Sequence, residues 1–439
     1  MSTHRRERRF VLAAGAGVFQ RLVQIASTLV LMPLLLRVLG VAQFGVWGSA
    51  SSLAWFSGLV DIGIGTALVT LVARSVAAGN QEEARMHLTG ALSFGSGIAA
   101  LMLAATVVVG ALMGWQNGSA PFLIAVAGLA LNVPLNSANN AWMALQKGYV
   151  SGFWELVQTL ATLAGVVVAS GITHDVRVFV AIVYGALVLS NAGSLLHLLI
   201  THPELRPHGL APAGEVRAVL REGFLLFALN LTGGLSFLLD NVLALRLLGP
   251  DAAAQMTIAL RICMTGLGLL LVISQPLWPA FVEAAEKADR GWIRKGLLRG
   301  TALLTGLAVA GSVVLLVFGE KLLRLWLHAD LGIGQALLWA IAAWMCTQAL
   351  GRIPNLLLNA LSIIRYQIAF IASTSVAAIL LKVMLVRYLG VSGILWATTA
   401  TVGLMVLPAF LTRLAIWYIR FDGTAVPGHL VRLNTPPIV

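Results

Sequence analysis

Twelve long apolar runs, each parted from the next by a short cluster of Gly, Pro, Asn or charged residues, constrain this chain more than any motif in it. They fall at 10–37, 44–73, 88–113, 121–146, 150–172, 178–201, 223–247, 252–282, 299–319, 334–361, 366–387 and 391–415. A bilayer span needs about 20 predominantly apolar residues, and no run shows the alternation of about ten residues that marks barrel strands. The expected fold is therefore all-α: a polytopic membrane protein of twelve transmembrane helices, each satisfying its own backbone hydrogen bonds. Composition agrees, with 59% of the 439 residues apolar and 10% charged, against about 25% charged in a soluble domain. A soluble globular protein is excluded.

The first run follows Arg5-Arg6-Glu7-Arg8-Arg9 and is too long for the apolar core of a cleaved signal, so it reads as the first span. The net charge of +12 would suggest nucleic-acid binding in a soluble chain. Here its distribution carries the meaning. With the N-terminus in the cytoplasm, nineteen Lys and Arg lie on that side, six on the opposite side and four inside spans. That bias predicts cytoplasmic termini at both ends and no nucleic-acid partner. Cys263 and Cys346 both sit in apolar runs, and the eight histidines are scattered, so neither a disulfide framework nor a metal site is expected.

The widest polar connection, 202–222, divides the spans six and six, giving an N-terminal lobe over 1–201 and a C-terminal lobe over 223–439. The halves share weak internal similarity. Leu36-Arg37-Val38-Leu39-Gly40 closes the first span and Leu245-Arg246-Leu247-Leu248-Gly249 the seventh, while Pro134 and Asn139 in the fourth recur as Pro354 and Asn359 in the tenth. Six spans per half make the repeat parallel, an arrangement that in transporters puts the substrate path between the halves.

Charged and polar residues inside spans are the candidates for function, because a charge at the bilayer centre costs about 2.5–3.5 kcal/mol on insertion scales. Arg21, with Gln24 and Thr28 on the same helix face, reads as a cationic cavity wall or as an ion pair with Asp61. Arg261 has Thr257 and Thr265 one turn to either side. Arg352 belongs to a stripe with Gln348, Asn355 and Asn359, and Asn132, Asn136 and Asn139 form a second stripe. Such stripes face a substrate path or tie helices together. Asp61, Asp240 and Glu155 are candidates for coupling to protons or sodium, or for ion pairing, although Asp240 and Glu155 lie near enough to span ends to be solvated. Lys382 is expected to snorkel to the outer interface.

Several segments resemble the polysaccharide-transporter family of lipid-linked oligosaccharide flippases. Leu39-Gly40 with Phe44-Gly45 and Trp47, then Leu59-Val60-Asp61-Ile62-Gly63-Ile64-Gly65 running on to Arg74, resemble its opening. Leu248-Gly249-Pro250, Pro276-Leu277-Trp278-Pro279-Ala280-Phe281, Asp289 and Trp292-Ile293-Arg294 resemble its second half. The resemblance implies the fold of the multidrug/oligosaccharidyl-lipid/polysaccharide (MOP) superfamily, with two six-helix lobes as in MATE transporters. It also implies movement of an undecaprenyl-diphosphate-linked glycan, such as an O-antigen or exopolysaccharide unit, across a bacterial inner membrane by alternating access. Implied partners are the lipid-linked oligosaccharide and membrane lipids, with the chain a monomer beside glycan polymerase machinery. No cofactor is implied beyond a coupling proton or sodium ion. Arg21 and Arg261 occupy the first- and eighth-span locations of cavity arginines in related flippases. A cation-coupled multidrug exporter of the same fold is the alternative. A membrane-embedded glycan polymerase or ligase fits less well, because the outer loops are short and carry no paired carboxylates.

Overall fold

The computed structural model describes residues 3–56, 64–113, 119–209, 214, 239–274, 277–287, 289–361 and 363–420, and every regular element among them is helical. Two compact units result, Met1–Gly234 and Leu235–Val439. In the first unit the helices are α1 (Thr3–Ser52), α2 (Ile64–Ala77), α3 (Gln81–Met113), α4 (Ala120–Leu135), α5 (Ser137–Ala144), α6 (Gly148–Ser170) and α7 (Val176–Thr201). The second holds α8 (239–248), α9 (Pro250–Ser274), α10 (Leu277–Glu286), α11 (Arg290–Leu327), α12 (Gln335–Ala360), α13 (Ile364–Leu389), α14 (Val391–Thr401) and α15 (Leu407–Arg420). Nine stretches among the described residues are long and apolar enough to cross a membrane. Parts of the second and seventh expected spans, 57–63 and 223–238, lie outside those residues, as does most of the 202–222 connection.

Helix ends follow from local chemistry. Gly40 breaks α1 with φ 70°, so the first span and the start of the second are two helices meeting at a left-handed residue that glycine adopts without strain. Gly249 and Gly390 take the same region, φ 96° and 58°. All three follow an Arg-x-Leu triplet: Arg37-Val38-Leu39, Arg246-Leu247-Leu248 and Arg387-Tyr388-Leu389. The repeat recognised between Gly40 and Gly249 thus has a backbone basis, and it has a third copy.

The run 252–282 is helical over Pro250–Ser274 and Leu277–Glu286, with 275 and 276 outside the described residues. The run 391–415 passes through a π-helical turn at Val402–Val406. Pro134, which has no amide hydrogen to donate, lies just before α4 gives way to α5, whereas its counterpart Pro354 stays within an unbroken α12.

Each unit has its own apolar core. In the first, Leu68, Val72, Leu88, Ala138, Trp142 and Leu198 pack where α2, α3, α5 and α7 meet. In the second, Phe281, Leu304, Ile353, Leu357 and Phe410 pack where α10, α11, α12 and α15 meet. Glycines allow the closest helix approaches: a Cβ on Gly128 of α4 would lie 2.5 Å from Tyr184 Cβ on α7, and one on Gly193 of α7 would lie 2.5 Å from the Trp154 ring of α6.

Candidate functional site

In the first unit, one face of α1 gathers polar groups. Arg21 Nη1 donates to Gln24 Oε1 at 3.1 Å, and Thr28 Oγ1 donates to the Gln24 carbonyl at 2.9 Å, so three residues on one helical face share a small network, all partly buried. One residue earlier, Gln20 Nε2 donates to the Glu155 carboxylate of α6, across the bare surface of Gly152. The exposed Glu155 is thereby tied to α1. Asp61, the expected partner of Arg21, lies outside the described residues.

The asparagine stripe of α4 and α5 is engaged otherwise than a cavity lining would be. Asn191 on α7 donates to Asn132 Oδ1 at 2.5 Å and accepts from Asn139 Nδ2 at 2.9 Å, and Ser194 donates to Asn139 Oδ1 at 2.9 Å. Asn139 Nδ2 also reaches Asn136 Oδ1 at 3.5 Å. With Asn132 only 2% exposed, this is a buried knot tying the bent α4–α5 pair to α7. Amides that satisfy one another across helices are the usual glue of membrane bundles. Asn191 and Ser194 were missed in the sequence, although their i, i+3 spacing in an uncharged run pairs naturally with the stripe.

In the second unit, Arg261 projects from α9 twelve residues past the Gly249 turn, about 18 Å along the helix. Its neighbour Thr257 donates to the Ala253 carbonyl at 2.8 Å and approaches Asn241 Oδ1 of α8 at 3.4 Å. Arg261 itself is partly buried and makes no hydrogen bond or ion pair among the described residues. A guanidinium in this setting retains its charge. It therefore offers its donor fork to an anion.

Arg352 on α12 is held differently. Its Nε donates to Ser274 Oγ at 3.0 Å, and Ser274, fully buried at the end of α9, donates in turn to the Leu271 carbonyl at 3.1 Å. Ser274 is a positioning residue that the stripe pattern did not reveal. Gln348, Asn355 and Asn359 lie partly buried on the same helix. Since Ser274 is thirteen residues beyond Arg261, the two arginines occupy stations about 20 Å apart along α9. They cannot grip one phosphate together.

Two expectations fail. Lys382 does not snorkel and Asp240 is not solvated: Lys382 Nζ donates to Asp240 Oδ1 at 2.5 Å, and both side chains are 0% exposed. Packing of α13 against its neighbours covers the lysine stem and head, so the nearest oxygen of opposite charge is a buried carboxylate. No cluster of three His, Cys, Asp or Glu able to hold a metal exists among the described residues.

The helices, the buried polar groups and the absence of strands among the described residues define a multi-pass helical membrane protein. Solved structures give the fold its class. A multidrug-resistance MATE family transporter of the MOP superfamily in an inward-facing conformation matches with TM-score 0.71 at 15% identity, over 92% of this chain and 100% of that chain. An outward-facing MATE family transporter matches at 0.60 and 13% identity, over 91% and 96%. A MOP superfamily transporter from Pyrococcus furiosus, described with a binding pocket of reverse polarity that suggests a different function, matches at 0.59 and 15%, over 90% and 96%. The chain belongs to the family of polysaccharide biosynthesis proteins, whose model matches residues 15–285. Among curated protein sequences none matches it.

Proposed function

We propose that this protein is a flippase that moves an undecaprenyl-diphosphate-linked oligosaccharide, an O-antigen or exopolysaccharide repeat unit, from the cytoplasmic to the periplasmic leaflet of a bacterial inner membrane by alternating access. The observation that carries the reading is Arg261, a partly buried guanidinium inside a span with no protein partner among the described residues. A diphosphate supplies what it lacks, because arginine binds phosphate oxygens through two parallel N–H groups.

Arg352, in the same unit, extends the path. It lies seventeen residues past the start of α12, about 26 Å along the helix. With both termini in the cytoplasm, Arg352 stands near the cytoplasmic end of its helix and Arg261 near mid-depth. A lipid diphosphate would exchange its headgroup contacts between these two cations. Ser274 orients Arg352 for that exchange. Sugar hydroxyls would meet the side-chain amides of Gln348, Asn355 and Asn359. The protein works as a monomer beside the machinery that polymerises the glycan.

A cation-coupled multidrug exporter shares the fold, but a cationic drug gains nothing from a partly buried guanidinium. The test is complementation of a strain lacking the gene, scored for surface glycan at matched protein levels. Arg261→Ala should reduce glycan export at least about tenfold, the loss of one charge-assisted bidentate contact. Arg261→Lys should recover only part, because the ammonium keeps the charge without the fork. Undiminished glycan with Arg261→Ala, or drug efflux without glycan loss on deletion, would refute the proposal.

A further inference from the structure

The buried pair Asp240–Lys382 lies outside the proposed path and concerns the ion that accompanies transport, whatever the substrate. Its two halves lie at matched distances from the same Arg-x-Leu-Gly turn. Asp240 is nine residues before Gly249 and Lys382 eight before Gly390, so each charge sits about 12–14 Å below its turn. Neither side chain is accessible.

The ammonium occupies Oδ1 of the carboxylate. Oδ2 is sealed from solvent and has no hydrogen-bond partner among the described residues. On the neighbouring α9, Thr257 is committed to the Ala253 carbonyl and to Asn241. Among the described residues, Lys382 is the charged group that acts on Asp240.

A carboxylate buried within a span must be neutralised by a proton, by a dissolved cation or by a fixed one. Here a fixed one is present. A dissolved sodium ion beside it would face the ammonium at close range in a medium of low dielectric, where like charges repel strongly. We infer that Lys382 is a built-in counter-ion for Asp240, filling the position a dissolved sodium ion would otherwise take, and that removing the ammonium opens the carboxylate as a monovalent-cation site. The C-terminal unit of the native protein is then indifferent to sodium at this point. The hard oxygens Oδ1 and Oδ2 are the ligands that would hold the ion once the lysine is gone.

The experiment melts the purified full-length chain in sodium chloride and in choline chloride at equal ionic strength. The wild type should melt at the same temperature in both. Lys382→Met, which strands the carboxylate, should melt at least about 5 °C lower in choline and regain part of the loss in sodium. The double variant Asp240→Asn/Lys382→Met removes both charges and should melt near the wild type with no sodium response. A wild-type melting temperature that rises with sodium overturns the inference, because the site then takes the ion with the ammonium in place. So does a Lys382→Met protein that melts like the double variant, or one that is destabilised yet ignores sodium. Should Lys382→Met yield no folded protein, folding of the double variant supports the pairing, and failure of both overturns it.

Discussion

Single polar side chains in this protein divide by whether another side chain has already satisfied them. Asn132, Asn139, Asn191 and Ser194 satisfy one another and hold α4, α5 and α7 together. Asn191→Ala should therefore lower the melting temperature, at a cost of about 1 kcal/mol for a buried interhelical amide in a membrane bundle, while leaving glycan export per folded molecule unchanged. Loss of export without loss of stability would move these amides back into the substrate path. Arg261 is the opposite case, a charge with no such partner among the described residues. This division was not legible in the sequence. Helical spacing placed Asn132, Asn136 and Asn139 on one face, but whether that face met a cavity or the amides of α7 depended on a neighbour 52 residues away from Asn139. Lys382 shows the same limit: its distance from the span end allowed snorkelling, and only the position of Asp240, 142 residues earlier, decided that it stays buried.

Helices and their ends were far more legible, because hydropathy and chain-breaking residues act locally. The Leu-Gly stop of the first span falls at the glycine whose backbone is left-handed, and the same holds at Gly249. Apolar composition did not register the π-helical turn at Val402–Val406, because the change there lies in the hydrogen-bond ladder and not in the side chains. The turn glycines carry a direct prediction. Nothing lies within 4 Å of a Cβ added at Gly40 or Gly249, so Gly→Ala at either position tests backbone strain without a clash. Each should lower stability by about 1 kcal/mol or more, measured by thermal unfolding in detergent, because L-residues enter the left-handed region at a penalty. Gly128→Ala should cost more, since its new methyl meets the Cβ and ring of Tyr184. Equal melting of Gly40→Ala and wild type would show that the turn relaxes to a right-handed conformation and that its glycine is not required.

At the scale of the whole molecule, an apolar chain whose few basic residues gather between its apolar runs becomes a two-unit helical protein of the polysaccharide biosynthesis family, with the fold of MOP superfamily transporters. The fold was readable because twelve apolar runs leave few alternatives in a bilayer. The proposed cargo rests on chemistry: Arg261 and Arg352, at different stations along their helices in the second unit, suit a diphosphate that changes partners. The most direct measurement is flipping by purified protein in liposomes that carry a labelled lipid-diphosphate oligosaccharide in both leaflets, with a membrane-impermeant reagent reading the outer leaflet. Vesicles containing the protein should expose the inner-leaflet population as well, and vesicles containing Arg261→Ala should do so at least about tenfold more slowly. Folded wild-type protein that leaves the inner population as protected as in protein-free vesicles would contradict the assignment.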